Sequence, residues 1–272
     1  PYQKLIQDYL SFVYNKPSST SPEFIPPFLF GTRSFAIEIP LEIPHDYKVS
    51  SFDQLEHVIK TASANSKVLI TVPYLKFKNQ VFISRDITIV GSNTLLDATG
   101  TSHFYIDDYK TVNFSSLSFQ NASDTSIWLG SYSNISVEDC SFVNNVGTYR
   151  GRDSSASGVI GSSESGNSRT GEVTINRCIF INNHDKYNFY FSRGILWLDR
   201  STDTVTIKDS YFQGNRSDSL SNKTTIGFKN SSSSINLINC TFLDNYVNFV
   251  FDVEDSLTSS LISNCIFDHS GV

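Results

Sequence analysis

Ile235-Asn236-Leu237-Ile238-Asn239-Cys240-Thr241-Phe242-Leu243-Asp244-Asn245 decides the fold, because the chain keeps returning to it. Its frame recurs as Ile135/Val137/Cys140/Phe142/Asn145, as Val173/Ile175/Cys178/Phe180/Asn183 and as Val205/Ile207/Ser210/Phe212/Asn215. Weaker copies flank these at Val112/Phe114/Leu117/Phe119 and Ser260/Ile262/Cys265/Phe267. Six copies of one frame make a repeat, and a repeat governs the reading of everything else.

Within each copy the apolar residues alternate, the period of a strand with one buried face. Between Leu237 and Cys240 the spacing is three, so the alternation slips by one and two short strands meet at a corner. The ladder phenylalanines (Phe119, Phe142, Phe180, Phe212, Phe242, Phe267) lie 23, 38, 32, 30 and 25 residues apart. A fixed minimum with variable excess describes coils of constant circumference carrying loops of free length. A third strand follows each corner pair, as at Ile127-Trp128-Leu129, Gly158-Val159-Ile160 and Gly194-Ile195-Leu196. Thr225-Ile226-Gly227 and Phe249-Val250-Phe251 continue the series. Three strands per coil, stacked about 4.8 Å apart, make an all-β parallel β-helix, a solenoid. Like residues then stack into a phenylalanine ladder, a cysteine/serine ladder and a row of asparagines at a turn.

The 272 residues hold 21 Phe and 13 Tyr, material for a long thin core. A net charge of −6 without a basic run excludes nucleic acid as a partner. No stretch approaches the roughly 20 apolar residues of a membrane span. Pro1 opens the chain with neither an initiating Met nor a signal-peptide pattern, as expected of a processed or trimmed product. The four cysteines, Cys140, Cys178, Cys240 and Cys265, share one inward position. They are either a small buried ladder or two inter-coil disulfides, Cys140 with Cys178 and Cys240 with Cys265, which stacked coils permit. No zinc-type spacing is present, and neither metal nor cofactor is expected. Asn-x-Ser/Thr sequons stand at Asn113, Asn121, Asn134, Asn215, Asn222, Asn230 and Asn239. In a eukaryotic host they would mark a secreted glycoprotein, with glycans at outward positions such as Asn239.

Residues 1–50 lack the repeat and read as an N-terminal arm: a short helix over Tyr2–Tyr14, a Ser/Pro-rich loop and an edge strand over Ser34–Ile43. Residues 51–272 are the β-helix. Its one good helix begins at Ser51, an N-cap with Gln54 three residues on, and presents Phe52, Leu55, Val58 and Ile59 on one face. Strand signals follow at Val68–Val72, Gln80–Ile83, Ile87–Gly91 and His103–Ile106.

Ser51-Phe52-x-x-Leu55, Ile87-Thr88-Ile89-Val90-Gly91 and Leu96-Asp97-Ala98-Thr99-Gly100 together resemble the opening of pectin-lyase-like right-handed parallel β-helices. That resemblance implies a right-handed solenoid whose first coil is capped by the short helix. The Cys-x-Phe-x-x-Asn segments resemble those of chlamydial-type polymorphic membrane proteins and archaeal adhesin-like surface proteins. It implies a cell-surface role.

The longest insertion, residues 146–171, is rich in Ser and Gly and carries Arg150, Arg152, Asp153, Glu164 and Arg169. It reads as a surface loop. A second projecting stretch offers Tyr187, Phe189 and Tyr190 as contacts for sugar rings or protein. A lyase on this fold would need an Arg or Lys beside carboxylates at a lateral groove, and a hydrolase would need clustered carboxylates. The candidates are Asp107, Asp108, Asp139, Asp209, Asp252, Glu254, Asp255 and the pair His184-Asp185. Asp139, Arg177, Asp209, Asn239 and Asn264 share the position before the ladder residue and read as a solvated row of favourable pairs.

The sequence therefore leads us to expect no enzymatic activity and no catalytic residues. The expected role is that of an extracellular structural or adhesive surface protein. Self-association is expected through the β-helix ends or the arm, head to tail into fibres if the chain is not a piece of a longer one. Glycans or a host or cell-surface protein are further partners. The alternative is a carbohydrate-active enzyme, lyase or hydrolase, or a carbohydrate-binding module on the same fold.

Overall fold

The computed structural model describes residues 45–147, 159–162, 171–186, 194–199, 204–217, 224–229, 234–246, 249–253 and 259–268. They fall in one compact unit, Ile43–Val272. The arm helix and arm strand lie outside the described residues.

The coils are as the repeat requires. A first face, before the corner, runs through Ser66–Ile70, residues 87–90 and 111–115, Asn134–Glu138, Val173–Asn176, Thr204–Lys208, Ser234–Ile238 and Ser259–Ser263. A second face, after it, runs through residues 95–97 and 117–120, then Ser141–Val143, Ile179–Ile181, Tyr211–Gln213, Thr241–Leu243 and Ile266–Asp268. In Ile87–Asp97 and Thr111–Gln120 one strand spans both, so the two faces form a single bent sheet, 15-stranded among the described residues. Among the described residues the third face has seven strands: Val81–Ile83, Phe104–Ile106, Ile127–Leu129, Ile160–Ser162, Leu196–Asp199, Thr224–Lys229 and Phe249–Val253. All these pairings are parallel and each joins one coil to the next.

The corner has a simple cause. Ser116, Asp139, Arg177, Asp209, Asn239 and Asn264, one per coil, sit at φ between 49° and 56°. A single left-handed residue rotates the chain, and the residue after it points inward again; this is the slip in the alternation. Four of the six are Asp or Asn, whose short polar side chains tolerate this conformation best, while Ser116 and Arg177 are held there by the register of the coils. In an early coil the turn takes more chain, with a register shift between Val90 and Thr94. Gly91 has no room for a side chain: a Cβ would lie 2.6 Å from Ser116 O and from Leu117 Cδ2.

Inside, Phe119, Phe142, Phe180, Phe212 and Phe242 stack at 4.6 to 4.8 Å between ring centroids, with planes within 9° of parallel. Phe267 continues the stack at 5.2 Å. A second ladder follows. Asn145, Asn183, Asn215 and Asn245 turn inward and are buried. Each donates from Nδ2 to a Phe carbonyl of the preceding coil, and the first three also to the next asparagine's Oδ1.

Helix α1 (Phe52–Thr61) closes the lumen at the first coils, burying Phe52, Leu55 and Ile59, with Phe52 edge-on to Phe77 at 5.2 Å. Ser51 Oγ accepts the Gln54 N–H at 3.3 Å, as the cap requires. Gln54 Oε1 returns to the Ser50 N–H, one residue earlier than a capping box places it. Arg85 satisfies the far end by donating to the Ala62 and Lys60 carbonyls.

Two expectations need correction. Residues 146–171 are not one loop: Val146–Gly147 makes an unexpected strand paired with His184–Asp185, and Ile160–Ser162, where the third strand was expected, pairs between Ile127–Leu129 and Leu196–Asp199. The disulfides are absent as well, since all four cysteines are free thiols. Each sulfur points at a backbone carbonyl instead: Cys140 Sγ at Glu138 O (3.1 Å), Cys178 Sγ at Val137 O (3.4 Å), Cys240 Sγ at Ile207 O (3.4 Å) and Cys265 Sγ at Ser263 O (3.4 Å).

Candidate functional site

Which surfaces are open follows from which outward residues are buried. On the second face, Ser141, Val143, Ile181, Tyr211 and Gln213 point away from the lumen and are nevertheless buried. The first face is different. Its middle outward column, Thr88, Asn113, Ser136, Thr174, Thr206 and Asn236, is half-exposed throughout and made of hydroxyls and amides. One coil apart, these groups offer a regular row of donors and acceptors to an extended ligand.

The charged groups gather along one edge of this face. The column Glu138, Asn176, Lys208 runs beside the left-handed corner residues Asp139, Arg177 and Asp209. Arg177 Nε donates to Asp139 Oδ1 at 2.7 Å and Nη2 to Asp139 Oδ2 at 2.9 Å, while Nη2 also meets Glu138 Oε1. Two carboxylates of the preceding coil thus orient one guanidinium, and Asp139 above all holds it charged far above any working pH. Nη1 has no partner among the described residues. Beyond, Asn239 Nδ2 donates to Asp209 Oδ1 at 2.9 Å and Asn264 Nδ2 to Asn239 Oδ1 at 3.2 Å. The expected row exists, yet it is more than a solvated ladder, because it supplies a fixed cation beside carboxylates at a lateral surface. Glu138 and Lys208 are the members that sequence reasoning passed over. Their signal was position: the residue one place past the second inward apolar residue of each repeat.

The other candidates disperse. Asp107 and Asp108 are exposed on a different turn, and Asp185 is buried with Ser217 Oγ donating to it at 3.2 Å. Asp252 lies in Phe249–Val253 on the third face; Glu254 and Asp255 lie outside the described residues. Tyr187, Phe189 and Tyr190, Asn222 and Asn230 are also outside them. Asn121 and Asn239 are exposed, and Asn113 and Asn134 half-exposed. Asn215 corrects the sequon reading, since its side chain is wholly inside the asparagine ladder and its amide hydrogens are both taken. Among the described residues no group of three His, Cys, Asp or Glu could hold a metal ion, and no helix is long and apolar enough to cross a membrane.

No family model and no curated protein matches the chain. Among solved structures, a point mutant of the PL6-family alginate lyase AlyGC is similar over 93% of this chain, with a TM-score of 0.52 and 9% identity. The chain spans 42% of that protein's length. At this identity the likeness is one of fold; it agrees with the parallel β-helix and does not bear on closeness to adhesin-like proteins. It also overturns the expectation of a chain without enzymatic activity. That expectation rested on reading the row of Asp139, Arg177 and Asp209 as solvated pairs, whereas a solved structure that shares the fold is a polysaccharide lyase.

Proposed function

We propose that the chain is a carbohydrate-active β-helix that takes an extended acidic polysaccharide along its first face and cleaves it by β-elimination. The observation that carries this reading is Arg177, a permanently charged guanidinium fixed by Glu138 and Asp139 with Nη1 left to meet a ligand carboxylate. Pairing that carboxylate makes the neighbouring C–H more acidic, which is what elimination needs. Exposed Lys208, on the next coil beside Asn176, is the group to exchange the proton. The C–H proton leaves to a base, the electron pair forms a double bond, and the glycosidic oxygen departs with a proton. Alginate, the polymer named for the structural neighbour, has this chemistry. A polymer substrate also fits an extracellular location.

The test is incubation with alginate and with polygalacturonate, reading the ultraviolet absorbance of unsaturated chain ends. The reading expects absorbance with at least one polymer, lost by more than tenfold in Arg177→Ala and in Lys208→Ala. New reducing ends without absorbance would make it a hydrolase. Neither cleavage nor retention on the immobilised polymers would overturn the reading.

A further inference from the structure

We infer that a second glycan site lies on the third face and its adjoining turn, built from five exposed or half-exposed aromatic residues, and that it takes a neutral polysaccharide. Phe82, Tyr105 and Trp128 are register partners, one per coil, all pointing outward. Their ring centroids are 5.3 and 6.2 Å apart. The inner phenylalanines, under the same coil spacing, stack at 4.6 to 4.8 Å. The outer rings are therefore slipped or tilted past one another, and Tyr105 and Trp128 are half-exposed. Phe82 is 59% exposed.

Past the next turn the same coils present Tyr109 and Tyr132, stacked at 5.1 Å with planes 6° apart and 69% and 37% exposed. Both hold φ near +58°, a conformation uncommon for a bulky residue (59° and 57°). Five aromatic side chains at water over three coils form an apolar patch of the kind that marks a binding surface.

Two carboxylates select the occupant. Exposed Asp107 and Asp108 stand between the two aromatic sets in the chain. Asp108 Oδ1 accepts the Ser131 N–H at 2.7 Å, and Asp107 Oδ1 accepts the Asp108 N–H at 3.0 Å. Their Oδ2 atoms have no partner among the described residues and can accept from ligand hydroxyls. Gly130 keeps the site open, since a Cβ there would lie 2.6 Å from Asp108 Oδ1. Apolar ring faces beside carboxylate acceptors complement a pyranose, with its C–H faces and hydroxyl rim. The same two charges repel a uronate. Tyr105 keeps its proton, its pKa raised by burial and by Asp108 and Asp107, and so remains a donor.

The experiment is affinity electrophoresis and calorimetry of the chain with soluble β-glucan and glucomannan, with alginate as the acidic control. We expect retardation by a neutral polymer. Tyr109→Ala, an exposed change that leaves the core intact, should weaken binding about tenfold, and Tyr105→Ala with Trp128→Ala should abolish it. Arg177→Ala should leave it unaltered, so this site and the first-face reading fail separately. No retardation by either neutral polymer, or retardation untouched by the aromatic variants, would overturn the inference. So would a dimer in sedimentation that Tyr109→Ala dissociates, for then the patch is a contact between copies.

Discussion

Asn183 uses every hydrogen bond that its side chain can make. Its Oδ1 accepts from the backbone and side chain of Asn145, and its Nδ2 donates to Phe142 O and Asn215 Oδ1. Replacing it by alanine orphans groups on two neighbouring coils in a buried site. Asn183→Ala should cost about 3 kcal/mol or more in urea denaturation. His103 is a buried residue whose charge state is set by its surroundings. Nε2 lies 2.8 Å from Leu96 O and Nδ1 3.0 Å from Ser126 Oγ, and burial lowers its pKa to about 4. Because the unfolded chain binds this proton first, stability contributed by neutral His103 is present above pH 6.5 and is lost as pH falls toward 4. The loss should reach roughly 3 kcal/mol. Denaturation at pH 7 and pH 4.5 should show it, and His103→Gln should flatten that part of the profile. The thiols are legible in the same way. Burial pushes Cys178 and Cys240 up to about 12 and raises Cys140 as well. A thiol reagent at neutral pH should reach half-exposed Cys265 first and the other three only on unfolding. The Asn of the frame was readable as a turn ladder. That it points inward, and so spends the sequon at Asn215, was not, because the residue before it takes a second left-handed turn: Asn144, Asn182, Gly214 and Asp244.

Elements were the most legible scale. The apolar alternation fixed the strands on either side of the corner, and the three-residue spacing located the corner itself. Missed were Tyr47–Val49 and Tyr74–Lys76, each only three residues long and without the frame. Short pieces carry too little alternation to stand out, and their neighbours place them. Removing one ring from the ladder, Phe180→Ala, should cost about 3 to 5 kcal/mol through the cavity it leaves. The opposite sign is expected at Ser116. A glycine there would relieve the left-handed strain, and Ser116→Gly should leave stability equal or raise it by up to about 1 kcal/mol. At the helix the direction is clear: Leu55→Asp puts a charge against Phe52 and the first coils, and its thermal midpoint should drop by the largest margin of the set.

For the molecule as a whole, the repeat told where the coils lie but not which sides are open. Exposure depends on what covers the outside, and a periodic frame writes only the inside. The candidate site shows this well: Asp139 and Arg177 were visible as a row, while their clasp and the partnership with Glu138 needed neighbouring coils in register. The open side of α1 and the exposed Leu261, Ile262, Ile266 and Phe267 mark the two unlike extremes of the described stack. Amide exchange should be fastest along Ser259–Ser263 and slowest in the coils of Phe142 and Phe180.

The rings of consecutive coils keep one spacing while the chain between them varies from 23 to 38 residues. Under tension this becomes a signature. A stack pulled apart coil by coil from Phe267 would release 25, 30, 32, 38 and then 23 residues. At about 3.5 Å per residue, the extensions would be unequal and would appear in that order. A force trace would thus read the coil register directly, as a sequence of lengths.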